Sequence, residues 1–296
     1  MPIVSIDGIP THYETLGVGP PLLMFSPGGF NATLDTWSSL GAYARTKPLE
    51  HLSQRFTCII FDRRETGQSG GRIERVDWGH YVAQGKGLLD HLGIERAHLM
   101  GGCMGCSPVP AFAVAHPETA LSMILYWPVG GAKYRLSSHQ RFAEHLAFVH
   151  QHGLEKVAAL AIEGGKPFGA DPRGGPWASV IRNDPAFAKG FAAQDVERYK
   201  LIVAGMGRRL FDRDTAPGAE PEDLLRLGVP ALIIPGHDAS HATSAARYLE
   251  ECLPNAEYWD AAVTEQTEER TCARLLEFVA AISGSTPPAG LESAAP

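Results

Sequence analysis

No apolar run in this chain approaches the length of a membrane-spanning helix, and no apolar leader segment marks its N-terminus, so a cytoplasmic protein is expected. Positive charge is in short supply: 26 Lys and Arg stand against 33 Asp and Glu, a net −7. That balance offers no electrostatic attraction toward nucleic acid or an anionic membrane. Cysteine is scarce and odd in number, five in 296 residues, which argues for free thiols in a reducing compartment rather than a disulfide framework. The cysteines form no spaced pair-of-pairs and no cluster with histidine, so no metal is expected. Neither G-x-G-x-x-G nor G-x-x-x-x-G-K-[ST] occurs, and no nucleotide or other cofactor is indicated. Internal repeats are absent. No histidine occurs after His241.

What remains is an ordinary globular composition, 44% hydrophobic and 20% charged, long enough for one large domain or a core with an insertion. The most informative stretch is His98 to Pro110, HLMGGCMGCSPVP. An apolar run enters a glycine turn, and a small-residue, helix-compatible segment leaves it. Within the turn, Gly101-Gly102-Cys103-Met104-Gly105 spells G-x-C-x-G. A nucleophile at the apex of a strand–turn–helix needs such neighbours, because the turn is sharp, its apex strained, and bulky side chains are excluded. The N-terminus of the following helix then favours thiolate over thiol at Cys103. The competing reading is a buried small cysteine in a glycine turn.

Along the rest of the chain, Ile3–Ile6 and Thr11–Thr15 read as a hairpin about Asp7-Gly8. Pro21–Phe25, Phe56–Phe61, Leu121–Pro128 and Val229–Pro235 are apolar runs suited to strands buried on both faces. Helices are expected over Gly79–Leu92, Ser244–Leu253 and Glu268–Ile282, with a last strand at Ala256–Trp259. Alternating strands and helices imply a parallel sheet. Residues 131–222 are helical in character and sit between two strands as a lid, and the Pro-rich tail 283–296 reads as disordered.

Taken together, three segments resemble the α/β-hydrolases over roughly Ile3 to Ile282. Phe25–Phe30 resembles the family's oxyanion-hole loop. Asp62-Arg63-Arg64-Glu65-Thr66-Gly67-Gln68-Ser69 resembles its D-x-R-G-x-G-x-S run, with Glu65 where glycine is common. The elbow is similar to that of cysteine variants such as the dienelactone hydrolases. The resemblance implies a mostly parallel α/β sheet of about eight strands with a helical lid after the sixth. The implied core covers 1–130 and 223–282. It also implies Cys103 as nucleophile, Gly28, Gly29 and Met104 as oxyanion-hole donors, and Asp238 in Pro235-Gly236-His237-Asp238 as the triad acid.

The base is where the sequence departs from the family, whose histidine follows the last strand. Here that stretch runs Trp259-Asp260-Ala261-Ala262-Val263-Thr264-Glu265, without histidine. His241, three residues past Asp238, is one substitute; His237 is another; a thiol assisted by a helix N-terminus alone is a third. Glu65 is either an auxiliary base or the partner of Arg63 or Arg64, the latter being the commoner use of a loop carboxylate. Cys103 and Cys106 also form a C-x-x-C, with packing the favoured role for Cys106. The implied activity is a cofactor-independent hydrolase or acyl-transfer enzyme for a small ester, lactone, thioester or activated carbonyl compound. The alternatives are a catalytically silent binding or sensor protein and a thiol redox protein. The expected partner is a small-molecule substrate, with a homodimer as the assembly left open and neither nucleic acid nor membrane. Trp127, Tyr134, Phe142, Phe148, Trp177, Phe187 and Phe191 are candidates for an aromatic pocket or for lid core.

Overall fold

The protein is described by a computed structural model over residues 2–284. Its strands are β1 (Ile3–Ile6), β2 (Ile9–Leu16), β3 (Pro21–Phe25), β4 (Thr57–Phe61), β5 (Ala97–Gly102), β6 (Ala120–Tyr126), β7 (Ala231–Ile234) and β8 (Ala256–Tyr258). They form one eight-stranded sheet in the order β1-β2-β4-β3-β5-β6-β7-β8. The β1–β2 and β2–β4 pairs are antiparallel, and every other pair is parallel. Parallel neighbours require crossover connections, and the crossover helices cover both faces. That is why the central strands are apolar without alternation. Leu23, Phe25, Ile59, Phe61 and Leu99 pack on one face against Val82, Leu88, Val109, Phe112 and Leu249. Leu22, Met24, Cys58, Ile60 and Met100 pack on the other against Trp37, Tyr43, Leu275 and Phe278.

The expected strands and long helices are present with ends displaced by a residue or two. Three differences matter. Short helices at Thr36–Ser39, Gly41–Thr46 and Pro48–Leu52, none anticipated, wrap the end of β3 and bury Trp37 and Tyr43. The α-helix after the elbow starts only at Pro108, because Cys103–Cys106 forms a 3-10 turn first. The closing helix runs Glu268–Gly284, past the expected end at Ile282, so residues 283 and 284 of the expected disordered tail are helical; 285–296 lie outside the described residues. No helix among the described residues is long and apolar enough to cross a membrane.

Between β6 and β7 the chain leaves the sheet. A long helix, Ala132–Gly164, is broken at Gly153, whose φ is 71°, and is followed by Ala178–Asn183, Pro185–Ala192 and Val196–Leu210. This helical insertion has its own core of Trp177, Phe191, Tyr199, Val203 and Met206, which continues onto Phe30, Trp78, Tyr81 and Met104 of the sheet portion. His145 belongs to that core: its Nε2 lies 2.7 Å from the Tyr199 hydroxyl, and burial pulls its pKa down to about 4, keeping the ring neutral.

The elbow glycines are set by backbone approach. A Cβ on Gly101 would lie 2.2 Å from the Gly105 carbonyl oxygen, and one on Gly105 would lie 2.3 Å from the Phe25 carbonyl oxygen. Both oxygens are backbone and cannot swing aside. Gly105→Ala should therefore destabilise the protein by roughly 1–3 kcal/mol or more. Gly190→Ala, on a helix with open space around it, should stabilise it by up to about 1 kcal/mol. Denaturant melts of the two variants check this pair of opposite signs.

Candidate active site

Cys103 follows the last residue of β5 and takes the left-handed conformation, φ 53°. A cysteine there is strained, and the close packing around the turn holds it in place. Cys106, one turn on, is buried, and its thiol donates to the carbonyls of Gly101 at 3.0 Å and Tyr126 at 3.4 Å. Burial, then the charge of Cys103, pushes the Cys106 pKa well above the ordinary thiol value. The two cysteines of the C-x-x-C thus differ: one faces the cavity, the other fastens the turn.

The loop after β7 supplies the partners. Asp238 Oδ1 accepts the backbone N–H groups of Ser240 at 2.8 Å and His241 at 3.0 Å. The imidazole Nδ1 of His241 lies 2.9 Å from each carboxylate oxygen, so the ring turns its other nitrogen away from Asp238. That atom, Nε2, is buried and makes no hydrogen bond to a protein oxygen or nitrogen. It faces the Cys103 thiol, and each group perturbs the other. Burial pulls the imidazole down, but the Cys103 sulfur and then Asp238 outweigh it and hold the His241 pKa at about 9. Burial pushes the Cys103 thiol up, yet the His241 imidazole and the N–H groups of Gly28 and Met104 more than offset it, leaving the thiol below its ordinary value. Burial also opposes ionisation of Asp238, and the His241 ring with the loop N–H groups holds its carboxyl below the usual range. Both shifts favour the thiolate–imidazolium form of the pair over the neutral one.

The loop after β3 explains which N–H reaches the sulfur. A trans peptide points its C=O and N–H in opposite directions. The Pro27 carbonyl accepts the Thr36 hydroxyl at 2.9 Å, and the Gly28 N–H on the same peptide points toward Cys103. Gly29 differs from the expectation: its N–H donates to Asn31 Oδ1 at 3.2 Å and is already engaged. Arg63 holds the loop from behind. Its guanidinium is buried and donates to the Gly28 and Gly29 carbonyls. Asp62 beside it accepts the N–H of Leu34 at 2.8 Å and of Gln68 at 2.7 Å, which closes the turn that presents Arg63.

Two expected auxiliaries lie elsewhere. Glu65 is fully buried against Arg64, whose Nε lies 2.9 Å from Oε1, and does not line the cavity. Burial raises its pKa to about 6 against the pull of Arg64. Its φ of 68° shows why glycine suits this position. His237 is exposed, lies 3.1 Å from the Thr243 hydroxyl and borders a separate cleft with Tyr258 and Asp260. The missing histidine loop after β8 is occupied instead by Gln266, buried, which no sequence pattern had marked. Its Nε2 donates to the carbonyls of Pro235 at 2.8 Å and Ala261 at 3.1 Å, while its Oε1 accepts the Trp127 indole at 2.7 Å. That indole packs 5.4 Å from the His241 ring. The Gly130 N–H also donates to the Ser240 carbonyl at 3.0 Å, tying the loop to the start of the insertion.

These elements enclose a cavity of about 330 Å³. Cys103, Met104, Trp127, Asp238 and His241 line its floor, and Tyr134, Phe142, Phe168 and Phe211 contribute from the insertion. Of the aromatic candidates, Trp127, Tyr134 and Phe142 reach it, whereas Phe148, Trp177, Phe187 and Phe191 do not.

A family model described as the alpha/beta hydrolase fold matches residues 21–164. The chain is 35% identical over 153 residues to 2-hydroxy-6-oxo-6-phenylhexa-2,4-dienoate hydrolase of Comamonas testosteroni, covering 51% of this chain and 48% of that one. It is 28% identical over 214 residues to the putative carbamate hydrolase RutD of Caulobacter sp. (strain K31), covering 70% and 73%. The chain spans less than half the length of the first curated relatives it matches. A thermophilic esterase from Thermogutta terrifontis superposes with a TM-score of 0.62 at 21% identity, covering 95% of this chain and 99% of that one. The fold expected from the sequence is the fold found, an α/β-hydrolase fold with a helical insertion after β6.

The coupling of His241 to Cys103 fixes a pH dependence. An imidazolium stabilises the thiolate, so its loss raises the thiol pKa. Cys103 of the wild type should alkylate with iodoacetamide from below the ordinary thiol range. The profile should shift to higher pH in His241→Gln. Rate–pH profiles with peptide mapping check this, and an unshifted profile contradicts the coupling.

Proposed function

We propose that this chain is a cofactor-independent hydrolase or acyl-transfer enzyme acting on a small ester, lactone, thioester or activated carbonyl compound, with Cys103 as nucleophile. The observation that carries the reading is the Nε2 of His241, buried with no oxygen or nitrogen partner and turned to the thiol by the Asp238 hydrogen bond. Sγ of Cys103 attacks the carbonyl carbon. The N–H groups of Gly28 and Met104 receive the developing oxyanion. His241, protonated in the resting pair, hands its Nε2 proton to the departing oxygen or sulfur as the carbon–leaving-group bond breaks, leaving a thioester on Cys103. Water then attacks that thioester and gives its proton to Nε2. The carbonyl re-forms as the carbon–sulfur bond breaks, the acid departs, and the thiolate–imidazolium pair is restored. An acceptor alcohol or amine in place of water makes the same cycle an acyl transfer.

Asp238 fixes the imidazole orientation and stabilises its charge without itself moving a proton. Acid and base both sit on the loop after β7, where the residues after β8 would usually hold the base. The silent-binder alternative rests on the absence of a histidine after β8, and the pairing of His241 with Asp238 beside Cys103 favours the enzyme reading over it. The redox alternative needs Cys106 to be reactive, whereas its thiol is engaged by two carbonyls and its pKa is raised.

Replacement kinetics on p-nitrophenyl esters test the assignment. Cys103→Ala should abolish turnover, and His241→Gln should lower kcat about 10²–10⁴-fold. His237→Gln and Cys106→Ala should keep most activity. Full turnover in His241→Gln would remove His241 as base, and loss in a folded Cys106→Ala would favour dithiol chemistry.

A further inference from the structure

The first part of the long insertion helix lays Tyr134, Ser138, Arg141 and Phe142 along one face, at the spacing that stacks successive turns of a helix. All four line the cavity above Cys103. Most of that lining is apolar, yet Ser138 and Arg141 bring polar side chains to it, one buried and one half-buried. The Ser138 hydroxyl is buried, with the residue 2% exposed, and makes no hydrogen bond. Arg141 pairs with no carboxylate among the described residues, whereas Arg135 on the outer side of the same helix pairs with Asp214 at 2.6 Å. The acidic side chain in the lining, Asp238, is committed to His241.

Arg141 is half-buried at the cavity lining, where its guanidinium is free to meet a ligand group of opposite charge. A buried hydroxyl without a partner carries a penalty of its own. One group satisfies both: a carboxylate accepts two parallel N–H bonds from the planar guanidinium fork and an O–H from serine. Arg141 and Ser138 are three residues apart on the helix, close enough to share it.

We infer that the cavity takes an ester or thioester bearing a second, ionised carboxyl group, which Arg141 and Ser138 hold while the scissile carbonyl lies at Cys103. This assignment rests on the reading of Cys103 as nucleophile and adds to it the substrate class. Carboxylate recognition fixes the substrate end-on, so that orientation comes from the charged end and reactivity from the carbonyl.

The test compares p-nitrophenyl hydrogen adipate with its methyl ester, p-nitrophenyl methyl adipate, which differ in the distal charge. For the wild type, kcat/KM should favour the acid at least tenfold, mostly through KM. In Arg141→Gln the ratio should fall to about one, Arg141→Lys should restore part of it, and Ser138→Ala should lower it several-fold. A wild-type ratio near one, or a ratio unmoved by Arg141→Gln, overturns the inference and leaves the hydrolase reading standing. Should neither ester turn over, the hydrolase reading fails, and the subsite is judged by binding. Monomethyl adipate should slow iodoacetamide labelling of Cys103 in the wild type but not in Arg141→Gln, and dimethyl adipate should not protect. Equal protection by both compounds, or none, overturns the subsite.

Discussion

The turn after β5 packs backbone to backbone against the end of β3 through Gly105 and the Phe25 carbonyl, and the site depends on that contact. With no side chain at Gly105 or Gly101, the turn after β5 lies directly beneath the end of β3. That approach places the strained Cys103 beside the loop that begins at Ser26, so the N–H of Gly28 and that of Met104 converge on one sulfur. Any side chain at either glycine would separate the strand ends and disperse the donors. The strain at Cys103 is sustained by the same packing, with the Cys106 thiol closing the turn onto the Gly101 and Tyr126 carbonyls.

A second constraint concerns the base. Asp238 and His241 occupy a four-residue span of one loop, and the carboxylate binds both the backbone and the ring of the same histidine. Such local capture needs little help from the rest of the fold. After β8, Gln266 joins the ends of β7 and β8 to the Trp127 indole. The bond from Gly130 to Ser240 joins this loop to the root of the helical insertion. The insertion that lines the cavity and the loop that carries Asp238 and His241 are therefore anchored to each other.

The sheet was legible in the sequence because strands covered on both faces must be apolar throughout, and runs such as Pro21–Phe25 admit few other structures. The elbow was legible because backbone contact leaves glycine no substitute. The Asp238-x-x-His241 spacing offered His241 as a candidate base without setting it apart from His237, which is as near in sequence but borders another cleft. Gly28 and Gly29 could not be told apart, because the difference lies in which peptide N–H the Asn31 side chain takes. Tyr43, Ser138, Arg141 and Gln266 carry no local pattern at all. Their placement arises from segments brought together by the fold, and the short helices around Tyr43 are too brief to leave a periodic signal.

The central claim is that Cys103 forms a covalent acyl intermediate whose release depends on His241. Intact-protein mass spectrometry of quenched turnover with a p-nitrophenyl ester, followed by peptide mapping, tests it most directly. The account predicts one acyl group on Cys103, at low occupancy in the wild type and accumulating in His241→Gln, where water is no longer activated. An adduct on another residue, or steady turnover with Cys103 never acylated in either protein, would contradict it.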